Sequence, residues 1–134
     1  MADASERCEL CTPDMVLFEN EHAFVRTDSN SLAPGHVLVA PRRHVSNFFD
    51  MNWDEKVSVL ALLDQAKADI ETRHSPDGYN IGVNIGKAGG QNRMHVHVHL
   101  IPRYLGDVAD PQGGIRCVLA QRTISPFDLR KEKS

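Results

Sequence analysis

Apolar residues alternate with histidines along residues 94–103, which read Met-His-Val-His-Val-His-Leu-Ile-Pro-Arg. An alternation with a period of two is typical of a β-strand, because successive side chains point to opposite faces. The pattern predicts a strand over 94–103, with valines facing a core and histidines facing a site. Neighbouring histidines on one strand face lie about 6.6 Å apart. The three histidines are His95, His97 and His99.

Four further apolar stretches predict strands. The runs 15–19 and 23–27 are separated by three polar residues and predict a hairpin. A third strand is predicted over 36–40, after a loop rich in Ser, Asn, Pro and Gly. The fourth covers 79–85, where Gly82 indicates a bulge or a close backbone approach.

A long amphipathic helix is predicted over 53–73. Asn52 is a typical N-cap residue, and Glu55 three positions later completes a capping-box pattern. The apolar stripe is predicted to contain Val57, Leu60, Leu63 and Ile70. Before the helix, 42–52 is irregular with room for one helical turn. Five strands and one long helix with mostly short links predict an α+β fold with an antiparallel sheet.

Length and composition favour one globular domain over residues 1–134, with an irregular tail from about residue 106. The chain is 41% hydrophobic and 25% charged, which is ordinary for a globular protein. Its net charge is −3 with no basic stripe, which argues against a long nucleic acid as partner. The sequence shows neither a signal-peptide pattern nor an apolar run of membrane-spanning length. We therefore expect no membrane partner and a cytoplasmic location.

Three cysteines, an odd number without a signal peptide, argue against a disulfide scaffold. Cys117 is interpreted as a small buried apolar residue. Cys8 and Cys11 form a CxxC pair, whose spacing lets two thiolates bind one zinc ion that needs two further ligands. A redox CxxC would open a helix after a strand, whereas a strand-like run follows here. The remaining alternative is a pair of reduced cysteines without a ligand.

The histidine alternation points to chemistry, because aliphatic residues would serve packing better than imidazoles. Neutral imidazole is both a nucleophile and a metal ligand near pH 7, since its ordinary pKa is about 6.5. The alternative is an incidental cluster that merely attracts metal. Three histidines at strict spacing in a good strand pattern favour a catalytic or metal-binding role.

The stretch His-Val-His-Val-His-Leu-Ile resembles the motif of the histidine triad (HIT) superfamily of nucleotide hydrolases and transferases. Gly90-Gln91 is similar to a Gly-Gln that precedes the family motif, and 34–39 is similar to its Pro-Gly-His strand. The resemblance spans about 8–103 and implies a HIT-like fold. It also implies a homodimer with the long helix near the interface.

The same resemblance implies the catalytic residues. His97, the middle histidine, would attack phosphorus and form a transient nucleotidyl-histidine. His99 and His36 would contact phosphate oxygens, and Gln91 would bond near the scissile bridge. The alternatives are a surface histidine at a strand end for His36 and a solvated loop residue for Gln91.

Three further positions are similar to nucleotide-binding positions of the family. Asp28 would accept both ribose hydroxyls through its two oxygens, and Asn84 would contact the phosphates. As isolated residues they would be turn or strand-end residues. Asn92 departs from the pattern, because many members carry Ser or Thr there to serve the leaving group. The sequence therefore does not define which leaving group the site handles.

A zinc-binding branch of the superfamily also resembles this chain. It binds zinc through an N-terminal CxxC, a histidine after the Pro-Gly-His strand, and the first histidine of the triad. The matching residues are Cys8, Cys11, His44 and His95. The implied zinc is structural and closed to substrate.

The leading hypothesis is a nucleotide hydrolase that cleaves a phosphoanhydride or phosphoramidate bond of a dinucleoside polyphosphate or adenosine phosphoramidate. An alternative is a nucleotidyltransferase or phosphorylase that uses the same intermediate with a phosphorylated acceptor. A third is a nucleotide-binding interaction protein with vestigial turnover, for which Asn92 would be the sign.

Overall fold

A computed structural model describes residues 8–119 of the chain. Its contacts divide the chain at Tyr104/Leu105 into two units. The first contains the sheet and the long helix. The second contains a 3₁₀ helix, Gly114–Leu119, in which Cys117 is exposed, so the prediction that Cys117 is buried is wrong. The prediction of one domain over 1–134 stays a prediction, and the end of its tail lies outside the described residues.

The first unit is built on a five-stranded antiparallel sheet in the order β1-β2-β3-β5-β4. The strands are β1 (Val16–Glu19), β2 (Ala23–Thr27), β3 (Val37–Pro41), β4 (Gly78–Gly82) and β5 (Val98–Arg103). The sheet and one long helix confirm the α+β fold class. The predicted turn in 42–52 is a 3₁₀ helix, Phe48–Asp50.

β5 begins four residues later than the alternation predicts. The His95 side chain donates a hydrogen bond to the Pro41 carbonyl, at 2.7 Å. This carbonyl is thus bonded to an imidazole, where a longer β5 would place a backbone N–H. Pro41 also has no N–H to offer a neighbouring strand. The Val96 N–H instead bonds to the carbonyl of Val45, at 2.8 Å. The prediction of three histidines on one strand is therefore wrong, and His99 alone of the three lies within β5.

β4 ends at Gly82, three residues before the predicted end. A Cβ added at Gly82 would meet nothing within 4 Å, so close backbone approach does not explain this glycine. The pairing register of the sheet shifts in β1 instead, between Val16 and Phe18.

The helix α1 spans Trp53–Glu71 and begins with the predicted capping box. Asn52 accepts a hydrogen bond from the Glu55 N–H at 2.8 Å, and the Glu55 carboxylate accepts one from the Asn52 N–H at 2.9 Å. The apolar stripe is partly wrong, since Val57 and Leu60 are 48% and 61% exposed. The buried face consists of Glu55, Ser58, Val59, Leu62, Leu63, Ala66 and Ile70.

The two faces of the sheet are covered by different parts of the chain. α1 packs against β2 and β3, where the inward residues of β3 are Val37 and Val39. The intervening Leu38 points to the opposite face, where it packs with Leu10 of the N-terminal segment. Leu38 lies opposite His99 in the ladder, so His99 is on the face away from the helix.

The Pro-Gly-His turn that introduces β3 requires its glycine. Gly35 has φ of +89°, and an added Cβ would lie 3.1 Å from Ile70 and 3.2 Å from Pro102. Both the backbone conformation and the close packing against α1 and β5 exclude a side chain. This turn therefore places His36 beside β5. Separately, none of the helices within residues 8–119 has the length and apolar character needed to cross a bilayer.

Candidate functional site

The ring of His97 is oriented by the backbone two residues before it. Its Nδ1 lies 3.0 Å from the carbonyl oxygen of His95. A carbonyl can only accept, so Nδ1 carries the hydrogen and Nε2 carries the lone pair of the neutral ring. The ring centroid of His97 is 5.1 Å from that of His99. This arrangement gives a nucleophilic nitrogen beside a second imidazole.

His36, His99 and Asp28 form a compact cluster at the β3–β5 pair. His36 Nε2 lies 3.0 Å from His99 Nδ1. The Asp28 carboxylate lies 3.6 Å from His36 Nε2 and 3.4 Å from His99 Nδ1. The structure thus brings together three predicted site residues that are far apart in the sequence.

Burial favours the neutral form of both of these imidazoles. His36 is 2% exposed, and the His99 side chain is 21% exposed. Desolvation lowers the pKa of His36, against a smaller upward effect of Asp28. Desolvation also lowers the pKa of His99, and the neighbouring His97 and His36 add to this. Neutral imidazoles can each donate one hydrogen bond and accept one.

Asp28 is held by local backbone as well as by the histidines. Its Oδ1 accepts a hydrogen bond from the Asn30 N–H at 3.0 Å, and its carboxylate oxygen Oδ2 faces the histidine pair. The side chain is 9% exposed. The predicted contact with ribose hydroxyls stays a prediction, and such a contact would share oxygens that already have partners.

Gln91 holds the loop between β4 and β5. Its Oε1 accepts from the Gly86 N–H at 2.9 Å, and its Nε2 donates to the carbonyls of Ser46, at 2.7 Å, and Arg93, at 3.0 Å. Gln91 is 6% exposed. Its amide is therefore committed to backbone groups, and a bond to a scissile bridge would require exchange of one of them.

Asn84 and Asn92 are both exposed. The Asn84 side chain lies 3.9 Å from the Cβ position of Gly90, so it borders the glycine-rich loop. Asn92 lines a cavity of about 290 Å³ together with Cys8 and Arg93. Among residues 8–119, no hydrogen bond joins either asparagine to the histidines, and their nucleotide contacts stay predictions.

The four residues predicted to hold zinc lie together. One donor atom from each of Cys8, Cys11, His44 and His95 falls within 4.8 Å of the others. His44 Nδ1 is 3.1 Å from the Cys11 sulfur. His95 Nδ1 is 3.4 Å from the Cys8 sulfur and 3.5 Å from that of Cys11.

The donor chemistry of this cluster fits zinc. In tetrahedral zinc sites, sulfur and nitrogen ligands lie about 3.6 Å apart, given bonds of about 2.3 and 2.0–2.1 Å. His95 is fully buried, and its Nε2 donates to the Pro41 carbonyl at 2.7 Å. That bond leaves the lone pair on Nδ1, toward the sulfurs, which is the tautomer a metal ligand needs. The lowered pKa of His95, caused mainly by its burial, also favours the neutral ring.

Two groups that organise the site were not found from the sequence. The N–H of Leu32 donates to His36 Nδ1 at 3.0 Å. Arg43, beside His44, donates to the buried carboxylate of Glu55 at 2.8 and 3.0 Å. The first is a backbone group and leaves no signal in the sequence. The sequence predicts Glu55 as a capping residue, but its second partner depends on how the 42–52 connection folds.

Comparison with known proteins identifies similar chains. A family model described as the HIT domain matches residues 9–106. An AP-4-A phosphorylase of Mycobacterium tuberculosis is 40% identical over 75 residues, which cover 55% of this chain and 38% of that protein. A bifunctional bis(5'-adenosyl)-triphosphatase/adenylylsulfatase of Arabidopsis thaliana is 32% identical over 95 residues, covering 71% of this chain and 53% of that protein.

A solved structure has the same fold as this chain. The crystal structure of a Zn-bound histidine triad family protein from Mycobacterium smegmatis is 29% identical, with a TM-score of 0.69, and the match covers 87% of this chain and 96% of that one. The aligned regions span from 22% to 73% of the lengths of the similar curated proteins. Several of those proteins are therefore much longer than the matched region.

Proposed function

The chain belongs to the HIT family, which includes nucleotide-processing enzymes, and on this premise we propose that it is a nucleotide hydrolase. Its substrates would be nucleotides with a phosphoanhydride or phosphoramidate bond, such as dinucleoside polyphosphates or adenosine phosphoramidate. The observation that carries the proposal is the His97 ring, whose Nε2 lone pair is directed by the His95 carbonyl and which lies beside His99.

In the proposed first step, His97 Nε2 attacks the α-phosphorus. A phosphorus–nitrogen bond to His97 forms, and the bond from phosphorus to the leaving group breaks. The leaving group departs with the electron pair of that bond and takes up a proton from solvent, so that a phosphoramidate nitrogen leaves as ammonia. The positive charge on the ring is shared with Nδ1–H, which the His95 carbonyl stabilises at 3.0 Å. An N–H of His99 supports the negative charge that develops on phosphate oxygens, while His36 bonds to the other ring nitrogen of His99 at 3.0 Å.

In the proposed second step, water attacks the same phosphorus. The phosphorus–nitrogen bond breaks, one proton of the water passes to solvent, and His97 returns to its neutral form. The products are the nucleoside monophosphate and the leaving group. Asp28 is proposed to bind ribose, Asn84 to contact phosphates, and Asn92 to border the leaving group. Gln91 is proposed to shape the loop beside the scissile bond, since its amide bonds to Ser46 and Gly86.

A nucleotidyltransferase or phosphorylase is the second candidate. It is favoured by the similarity to the AP-4-A phosphorylase, 40% identical over 75 residues. Such an enzyme would use the same nucleotidyl-histidine but transfer the group to a phosphate acceptor in place of water. An interaction protein with vestigial turnover is the third, and predicts nucleotide binding without product.

We further propose that Cys8, Cys11, His44 and His95 hold one structural zinc ion. The ion would tie the N-terminal segment to the connection after β3 and to the residue two positions before the nucleophile. Reduced thiolate ligands are compatible with the cytoplasm, which we propose as the compartment.

A homodimer is proposed from an exposed apolar surface. Trp53, Leu60 and Ile81 are 74%, 61% and 51% exposed, and they line a groove of about 300 Å³ between α1 and β4. β4 is an edge strand of the sheet, so its outer backbone groups have no strand partner within residues 8–119. A second copy of the chain would cover both features.

A nucleotide panel tests the proposed activity. The protein is incubated with adenosine phosphoramidate, diadenosine polyphosphates and AMP, with and without inorganic phosphate, and products are separated by chromatography. A hydrolase forms AMP without phosphate, whereas a phosphorylase forms a nucleoside diphosphate only when phosphate is present. Nucleotide binding without either product supports the interaction protein and contradicts both enzymes.

A further inference from the structure

We infer that His36 is a positioning residue: its Nε2–H donates to His99 Nδ1 and so holds the His99 Nε2–H ready to bond a phosphate oxygen. This inference rests on the proposed function, since it assigns how the same site recognises phosphate. It differs from the sequence-based prediction for His36, in which the imidazole itself contacts the phosphate.

The first support is that both ring nitrogens of His36 already have partners. Nδ1 accepts the N–H of Leu32 at 3.0 Å, and Nε2 lies 3.0 Å from His99 Nδ1. The ring is 2% exposed. A direct phosphate contact by His36 would break one of these bonds and leave the Leu32 N–H or His99 Nδ1 without its partner. His99, with 21% of its side chain exposed, can reach a ligand without losing either bond.

The second support is that the hydrogen positions on the His36 and His99 rings depend on each other. The Leu32 N–H can only donate, so His36 Nδ1 must be unprotonated and Nε2 must carry the hydrogen of the neutral ring. His36 then donates to His99, and His99 Nδ1 must accept. His99 is left with its hydrogen on Nε2. A single backbone amide thereby determines the tautomers of two imidazoles in series.

The neutral state of both rings is required for these hydrogen positions, and burial favours that state. Desolvation lowers the pKa of His36 and of His99. Two charged groups act on the pair: Asp28, at 3.6 Å from His36 Nε2 and 3.4 Å from His99 Nδ1, and Arg93, which further lowers the pKa of His99. The Asp28 Oδ2 is a second acceptor near both nitrogens, so the Leu32 N–H, which can only donate, decides that the His36 hydrogen lies on Nε2.

The same geometry argues against a metal ion at this cluster. Asp28, His36 and His99 offer three donor atoms close enough to surround an ion. A metal on His36 Nε2 would require a lone pair there, which moves the ring hydrogen to Nδ1. Two N–H donors, of His36 and Leu32, would then face each other at 3.0 Å without an acceptor between them. The cluster is thus built as a hydrogen-bond relay.

The tautomers can be measured by long-range ¹H–¹⁵N NMR spectra of the histidine rings in the zinc-loaded full chain. We expect wild type to show both His36 and His99 as the Nε2–H form, and His36→Ala to lose this form at His99. His36→Gln should retain it, because the glutamine amide can donate from the position of Nε2. His22→Gln, at a half-buried side chain of the β1–β2 turn, is the control and should leave the His99 signals unchanged.

Kinetics give the second readout. Loss of one donor to a developing oxyanion typically costs about 100-fold or more, so we expect about 100-fold lower kcat/KM for His36→Ala and substantial rescue by His36→Gln. In a His99→Ala background, His36→Ala should add little further loss, because His36 acts through His99.

Multiplicative losses in that cycle, or an Nδ1–H tautomer at His99 in wild type, would overturn the inference. If His36→Ala does not fold, wild type and His36→Gln still decide it through the tautomers. The NMR result does not depend on turnover, so absent turnover with the expected tautomers would count against the proposed hydrolase and leave the relay supported.

Discussion

His95 and His97 are joined by a hydrogen bond from His97 Nδ1 to the His95 carbonyl, at 3.0 Å. The side chain of His95 points instead toward Cys8 and Cys11, and its Nε2 donates to Pro41. One residue thus contributes its side chain to the proposed zinc site and its carbonyl to the proposed nucleophile. The position of His97 consequently depends on how firmly the cysteine cluster holds His95.

Replacement of His97 should abolish the chemistry while retaining binding. We expect His97→Asn to lower turnover of adenosine phosphoramidate and diadenosine polyphosphates by about 10⁴-fold or more, since no covalent intermediate can form. AMP affinity should change only a few-fold, because the pocket stays intact. Steady-state kinetics and calorimetric AMP titration measure both. An adenylylated peptide from rapidly quenched wild type should contain His97, and an adduct on another residue would refute the assignment.

Zinc analysis addresses the cysteine cluster. Tag-free protein should contain about one zinc per chain, and Cys8→Ser should lower the melting temperature by about 10 °C or more, because metal binding supplies folding free energy. Cys117→Ser, at an exposed cysteine of the second unit, is the matched control and should leave zinc content unchanged. Metal-free protein of full stability would contradict the site.

The exposed apolar groove between α1 and β4 predicts that the chain forms a homodimer. Light scattering at micromolar concentration should give twice the 14.9 kDa mass of the chain. Leu60→Lys places a charge on the 61% exposed position of α1 and should shift the protein toward monomer. Leu105→Lys, at an 87% exposed position of the second unit, is the control. A wild-type monomer would refute the homodimer.

Because of Glu55, the folded protein should become less stable at acidic pH. Its buried carboxylate accepts two bonds from Arg43, which are the largest cause of its lowered pKa, and one from the Asn52 N–H. Because the unfolded pKa is higher, this stabilisation is complete above the ordinary value of 4.5 and is lost as pH falls through the folded pKa.

Glu55→Gln should therefore destabilise the fold at pH 7 by about 1–3 kcal/mol and flatten the pH dependence below pH 5. Urea unfolding at several pH values measures this. Asp54→Asn, an exposed acid in the same helical turn, is the control. Equal slopes in wild type and Glu55→Gln would contradict the assignment.

Gln91 should act through the loop it holds. Gln91→Glu keeps the size but removes the hydrogen bonds that the buried Gln91 amide donates to the carbonyls of Ser46 and Arg93. We expect about 1–3 kcal/mol lower stability and increased hydrogen exchange in the 86–93 loop, even without substrate. Gln112→Glu, an exposed glutamine, is the control. Unchanged exchange with impaired turnover would instead support a direct catalytic contact.

The sequence determined the order and type of the elements, because each rests on local rules. The capping box at Asn52 and Glu55 set the start of α1, and the apolar runs at 23–27 and 36–40 predicted two of the strands. The histidine spacing, CxxC and Gly-Gln also led to the right family, since those residues carry chemistry that packing does not require.

Only the tertiary structure decided how these residues are used. The alternation around His95 is that of a strand, yet its side chain bonds to the carbonyl of Pro41, 54 positions away, and β5 starts at Val98. The tautomers of His36 and His97 depend on the Leu32 amide and the His95 carbonyl, groups that every residue possesses. Side-chain periodicity reports which residues face a core, but hydrogen-bond partners distant in sequence exist only after the chain has folded.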